Sequence, residues 1–179
     1  MTELLVFDAQ AGKESAFRDL YGLWQADLRR FALVRVEKPV AADEVLTNVW
    51  LTIARGLPRL DDPACFPRWA FRIVERRCVD WIRQQSLARR REAAAISRAD
   101  ELTPAPPSSN EVPDEILRLR SAIARLPVEQ RELLYLYYDL GRSISEIAEV
   151  LVLPLGTVKS RLFSVRETLR QQLESPSHE

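Results

Sequence analysis

The chain has 179 residues, 46% of them hydrophobic, with 26 Lys plus Arg balancing 26 Asp plus Glu, and 2 Cys and 1 His. That length suits one domain or two small ones with modest cores, and no apolar run approaches the ~18 residues a membrane helix needs. The start, MTELLVFDAQ, carries Glu3 where a secretory signal would be basic, so a cytoplasmic protein with no direct membrane insertion is expected.

Cys65 and Cys78 are too few for a disulfide framework or a Cys-rich zinc site, and the single His178 sits in the tail ESPSHE. The chain has no G-x-x-x-x-G-K-S/T loop, no G-x-G-x-x-G turn and no His placed for acid-base work. It therefore reads as a non-enzyme, with no catalytic residue, metal, cofactor or small-molecule substrate expected. The zero net charge hides an asymmetry. Residues 63 to 98 carry 9 basic and 3 acidic side chains, whereas residues 99 to 139 carry 4 and 8. Of the 26 basic residues 23 are Arg, whose forked guanidinium suits contacts to phosphates and bases.

Helical periodicity dominates in chain order. Phe17, Leu20, Tyr21, Trp24, Leu28 and Phe31 form one apolar stripe, interrupted at Pro39. A second helix is expected from about Ala41, with Val45, Val49 and Ile53 inward, Asp43 and Glu44 in its dipole-favoured first turn, and an end at Gly56 and Pro58. A third runs from near Pro63 to the Arg cluster at 89 to 91, burying Phe66, Trp69, Ala70, Ile73, Val74, Cys78, Trp81 and Ile82 wholly or partly. These three make one bundle. Residues 99 to 114 hold four Pro, four acids and no basic residue, the composition of a solvated linker.

Beyond it, Ile116, Leu119 and Ile123 mark a short helix stopped at Leu126-Pro127, and VEQRELLYLYYDL another ending at Gly141. Ser143-Ile-Ser-Glu146 is a capping box opening a short helix. A break at Val152-Leu153-Pro154 precedes a last helix with Val158, Leu162, Val165, Leu169 and Leu173 on one face. Lys159, Arg161, Arg166 and Arg170 make its outward side basic. Short helix, tight turn and longer basic helix is the layout of a helix-turn-helix, whose second helix enters the major groove.

Ala124-Arg125-Leu126-Pro127, Glu146-Ile147-Ala148 and Gly156-Thr157-Val158-Lys159-Ser160-Arg161-Leu162 are the most specific pieces of residues 119 to 173. Through them this segment closely resembles the region-four domain of extracytoplasmic-function (group four) sigma factors, the sigma-70 family subunits of bacterial RNA polymerase. AFRDLYGLWQADLRRFA, ADEVLTNVWLTIARGL and FPRWAFRIVERRCVDWIR resemble that family's region two in order and spacing. The resemblance implies an all-α fold of two small helical domains: region two in residues 1–92, a flexible linker in 93–115, and a region-four helix-turn-helix domain in 116–179. It also implies a protein that binds core RNA polymerase and promoter DNA, directs initiation in response to a stress or signal, and is held in check by an anti-sigma factor.

Carried over residue by residue, the polymerase-docking positions are Asp43, Glu44, Thr47, Asn48 and Trp50, with Trp50 either an interface anchor or a core residue. The minus-ten positions are Arg59, Asp61 and Asp62 in a base-capturing loop, then Arg68, Arg72, Arg76, Arg77 and Arg83 among Trp69, Phe71 and Trp81. Positive charge interleaved with aromatic faces suits single-stranded DNA. The minus-thirty-five positions are Lys159, Ser160, Arg161, Phe163 and Arg166, with Thr157 and Arg142 nearer the DNA backbone. The chain departs from the family pattern at Thr47, Asn48, Arg76 and Ser164, and at Val152, whose β-branched side chain at a turn position usually held by Gly or a small polar residue predicts a rearranged turn. The competing reading is a sigma-like protein that titrates an anti-sigma factor without directing transcription. Thr47 and Asn48 favour it, and the basic residues of both DNA-facing helices oppose it.

Overall fold

The computed structural model describes residues 1–95 and 114–174, with side chains for 1–88 and 115–174. Every regular element among the described residues is helical, with no strand among them, as the all-α reading expects. Most of the acidic, proline-rich linker, the Arg cluster's side chains and His178 lie outside the described residues.

The first helix, α1 (Thr2–Gln10), was not legible in the sequence. It lies against α2 with Val6 fully buried, and Gln10 Nε2 donates to Leu57 O (2.9 Å) and Leu60 O (2.7 Å), fastening it to the loop after α3. In α2 (Glu14–Val36) the stripe Leu20, Trp24, Leu28, Phe31, Ala32 and Val36 is buried. α3 (Pro39–Gly56) starts two residues before the expected Ala41. Proline suits the first helical position, where its fixed φ fits and its missing N–H would have no partner. Asp43 and Glu44 therefore lie beyond the first turn, and side-chain partners take over the role assigned to the helix dipole. Gly56 closes α3 against Trp69, whose ring would lie 2.8 Å from an added Cβ.

Two 3-10 turns, Leu57–Arg59 and Pro63–Cys65, lead from α3 into α4 (Phe66–Ala95). Its core face includes Phe66, Ala70, Phe71, Val74 and Cys78. Phe71 sits edge-on to Phe31 (5.3 Å) and Trp24 (6.2 Å) and is fully buried, which removes it from the aromatic faces assigned to DNA. Ile82, expected in the buried set, is exposed.

The C-terminal half comprises α5 (Asp114–Ala124), α6 (Val128–Leu134), α7 (Ile144–Leu151) and α8 (Leu155–Glu174). The expected single helix VEQRELLYLYYDL is instead α6 followed by a π-helical turn, Tyr135–Asp139, in which Leu140 N donates to Tyr135 O at 3.1 Å. The capping box is present: Ser143 Oγ accepts from Glu146 N (3.2 Å) and the Glu146 carboxylate accepts from Ser143 N (2.9 Å). Val152 does not rearrange the turn. It keeps the left-handed conformation (φ 55°, ψ 47°) that glycine would adopt, with its N–H donating to Ala148 O. The preserved turn therefore holds a β-branched residue in a region that costs L-residues about 1–2 kcal/mol.

The two halves share one core. Phe31 stacks on Tyr135 at 6.4 Å, and Leu133, Leu136, Ile147 and Val150 join the buried residues of α2, α3 and α4 in a continuous cluster. The C-terminal half has a separate cluster of its own in Leu126, Leu134 and Val165, flanked by Ile123 and Leu169.

Candidate polymerase and promoter interfaces

Along α3 two buried residues alternate with two exposed ones, so Asp43, Glu44, Thr47 and Asn48 line one solvent face while Val45, Leu46, Val49 and Trp50 point inward. Arg29 grips Asp43 through two bonds, Nε to Oδ1 at 2.6 Å and Nη2 to Oδ2 at 3.0 Å, which hold the Asp43 carboxyl below its usual range. Glu44 accepts from Trp81 Nε1 at 3.1 Å. Thr47 and Asn48 return bonds to the carbonyls of Asp43 and Glu44, four residues back. Of the two readings open for Trp50, burial favours the core. It is 8% exposed, its Nε1 donates to Gln25 (2.6 Å), and Tyr21 lies against it at 4.8 Å. A groove of about 460 Å³ between α2 and α3 runs past Phe17, Tyr21, Leu46, Thr47, Trp50 and Leu51. Its apolar floor bordered by acidic and amide side chains suits an amphipathic helix bearing cations.

On α4, Arg68, Arg72, Arg76 and Arg83 are exposed, and their spacings of 4, 4 and 7 put them on one stripe opposite the buried face. Arg77 leaves this stripe and donates to Thr52 Oγ1 on α3 (2.8 Å). In the loop before α4, Arg59 and Asp61 are exposed. Asp62 is occupied as a cap: Oδ1 accepts from Ala64 N and Oδ2 from the Cys65 thiol, both at 2.9 Å. The thiol bond holds the Asp62 carboxyl low and pushes the Cys65 thiol up, so Cys65 stays a protonated donor. Trp69 is half-buried against Phe66 and Gly56.

On α8, Lys159, Ser160, Arg161, Phe163 and Arg166 are exposed while Val158, Leu162 and Val165 are buried, giving the helix separate core and solvent faces. Thr157 is half-buried, and its carbonyl accepts from Ser160 Oγ at 3.1 Å. Phe163 is 72% exposed, an unusual position for a phenyl ring unless it meets a partner such as a thymine methyl. Arg166 donates from Nε to Tyr138 Oη (2.8 Å) and lies over the Tyr137 and Tyr138 rings (5.3 and 5.6 Å). The sequence reading missed these tyrosines because the π-helical turn that aims them has no periodic signature. Arg142 corrects the reading in the other direction. It turns into the junction between the halves, over Trp24 (5.4 Å) and Phe71 (5.9 Å), rather than toward the groove-facing side of α8.

Residues 20–88 match the family model described as Sigma-70 region 2, and residues 116–169 match that of Sigma-70, region 4. The chain belongs to the sigma-70 family. It is 30% identical over 162 residues to the ECF RNA polymerase sigma factor RpoE of Cereibacter sphaeroides, spanning 89% of this chain and 87% of that protein. It is 27% identical over 168 residues to the probable RNA polymerase sigma factor RfaY of Xanthomonas campestris pv. campestris, spanning 92% of this chain but 42% of that relative. Among solved structures its fold is similar to the sigma factor RpoE in a co-crystal with the anti-sigma factor NepR from Bartonella quintana, with a TM-score of 0.68, 20% identity, and coverage of 90% and 98% of the two chains. The match thus extends through both regions of an extracytoplasmic-function sigma factor. Sigma factors are not enzymes, and among the described residues no cluster suited to a metal and no helix long and apolar enough to cross a membrane occurs.

Proposed function

We propose that this chain is a cytoplasmic sigma factor that docks on core RNA polymerase through α3, holds the opened minus-ten element on α4, and reads the duplex minus-thirty-five element with α8. The working division is region two in residues 1–92, a linker in 93–115 and region four in 116–179, although α4 runs on to Ala95 and α5 begins at Asp114, so both ends of the expected linker are helical. The observation that carries this reading is the pairing of two outward cationic helix faces, the Arg68, Arg72, Arg76 and Arg83 stripe and the Lys159, Arg161 and Arg166 face, on the two regions of one chain. A protein that only titrated an inhibitor would need the α2–α3 groove and neither cationic face. The solved relative bound to an anti-sigma factor supports control of this chain by a partner of that kind.

In vitro transcription from genomic fragments, with purified core polymerase alone and with this chain added, tests the proposal. Chain-dependent transcripts with discrete start sites are expected. Co-purification with core but no transcript from any fragment would leave the titration reading in its place.

A further inference from the structure

Beside the exposed face of α8 the π-helical turn builds an aromatic corner. Tyr137 and Tyr138 stand at 78° with ring centroids 5.0 Å apart, Tyr137 half-buried and Tyr138 57% exposed. The guanidinium of Arg166 sits in this corner, within cation–π range of both rings, while its Nε donates to Tyr138 Oη at 2.8 Å. Glu167, the acid next to it on α8, is taken by Arg170 at 2.7 Å. Arg166 is thus held by aromatic faces and a neutral hydroxyl, and among the described residues no carboxylate neutralises it. Lys159 and Arg161, nearer the start of α8, make no hydrogen bond or ion pair among the described residues.

Position along α8 decides what the held cation meets. The N-terminal residues of a recognition helix reach base edges. Arg166 lies ~16 Å beyond Leu155 at ~1.5 Å per residue, farther than the ~12 Å width of the major groove. It therefore stands at the wall of the groove, where the sugar-phosphate backbone runs.

We propose that Tyr138 and Arg166 form a clamp for one phosphate of the upstream duplex, with Tyr138 as the positioning residue. The inference rests on the promoter-reading assignment above and adds to it a contact from outside the recognition helix. Because Tyr138 Oη accepts from Nε, Nη1 and Nη2 remain as the fork that a phosphate takes bidentately. The hydroxyl keeps its own proton to donate to the same phosphate. Fixing the long arginine side chain before DNA arrives also lowers the ordering cost of binding.

The test measures closed-complex formation by the full chain, assembled with core polymerase, on a fluorescein-labelled duplex promoter fragment that it transcribes, across a potassium chloride series. Arg166→Ala should weaken binding about tenfold and reduce the slope of log affinity against log salt by about one, the loss of one phosphate contact. Tyr138→Ala removes no charge, yet it should weaken binding about fivefold and also lower the slope, because the released arginine no longer holds its phosphate. Tyr138→Phe keeps the ring and should fall between wild type and Tyr138→Ala. Tyr138→Ala/Arg166→Ala should lose less than the product of the single losses, since the two side chains act as one unit. Tyr138 is exposed, so helicity and thermal midpoint should stay those of the wild type.

Weaker binding by Tyr138→Ala at the wild-type salt slope would make the tyrosine merely structural and overturn the clamp. Wild-type affinity in Tyr138→Ala, or single losses that multiply in the double variant, overturns it as well. Each of these outcomes leaves chain-dependent transcription by the wild type intact, whereas absence of any such transcript defeats the functional reading itself.

Discussion

The two halves are stabilised differently. Region two gathers Trp24, Phe31, Phe66 and Phe71 in edge-to-face contacts within its own bundle. Region four keeps only Leu126, Leu134 and Val165 in a fully separate buried cluster, and commits Tyr135, Leu136, Ile147 and Val150 to the joint core. A half that lends much of its apolar surface to its neighbour loses stability when the neighbour leaves. Parting the halves therefore requires a new partner to cover that surface, and the energetic link between region four's fold and its position follows from this borrowing.

Phe71→Ala should give the largest effect. Loss of a fully buried ring costs about 3–5 kcal/mol, and because Phe71 also lies beneath Arg142, urea unfolding followed by helicity should show both halves weakened together. Survival of either half at its wild-type midpoint would divide the core. Tyr135→Ala sharpens the contrast by removing the ring stacked on Phe31 from region four's side. A cost of about 2–4 kcal/mol should fall mainly on region four, visible as faster amide exchange in α6 to α8 than in α2 to α4. Equal acceleration throughout would contradict the asymmetry.

A pH series probes the same junction more gently. Burial, opposed by Arg35 and reinforced by Glu75 and Glu129, pushes the Glu132 carboxyl from an ordinary value of 4.5 up to about 8, with the neighbouring Arg131 pulling the other way. Glu75 is raised in the same direction, also by burial. The packed state thus holds a proton that the separated carboxylate would release. Its stabilisation is complete below pH 4.5 and is lost as pH rises through about 8. The urea midpoint should fall across that window, and Glu132→Gln should flatten the slope; an unchanged slope in that variant would assign the proton elsewhere. The smallest effect belongs to Val152→Gly, confined to region four's turn. Relief of the left-handed conformation, offset by glycine's greater unfolded-state freedom, should stabilise by about 0.5–1 kcal/mol, read as a raised thermal midpoint. A lowered midpoint would mean that the exposed valine makes contacts that outweigh its strain.

What was legible in the sequence follows from the range of the interactions. The capping box and the stripes of α2, α4 and α8 depend on neighbours within a few residues, and periodicity exposes them. Glu132 sits in VEQRELL as one of two acids; its partner Arg35 lies 97 residues away, so nothing local marks it for burial. The same distance problem hid the inward turn of Arg142 and the pairing of Glu149 with Arg68. The family resemblance placed Phe71 among the DNA-facing side chains of α4, while its role is fixed by Trp24 and Phe31 on another helix. α1 escaped notice because Leu4 and Phe7 are exposed and only Val6 is fully buried, which leaves no apolar stripe to read.

The central claim, that the two halves of one sigma factor read two separate promoter elements, is tested most directly by footprinting the holoenzyme on a promoter it transcribes, with Arg161→Ala and Arg72→Ala compared. Both side chains are exposed and lie on different halves. Arg161→Ala should weaken upstream duplex protection, by about 1–3 kcal/mol for a base-edge contact, while permanganate reactivity of the opened bases persists at saturating holoenzyme. Arg72→Ala should lower permanganate reactivity and leave upstream protection in place. Loss of both signals together in either variant, or of neither in both, would contradict the account.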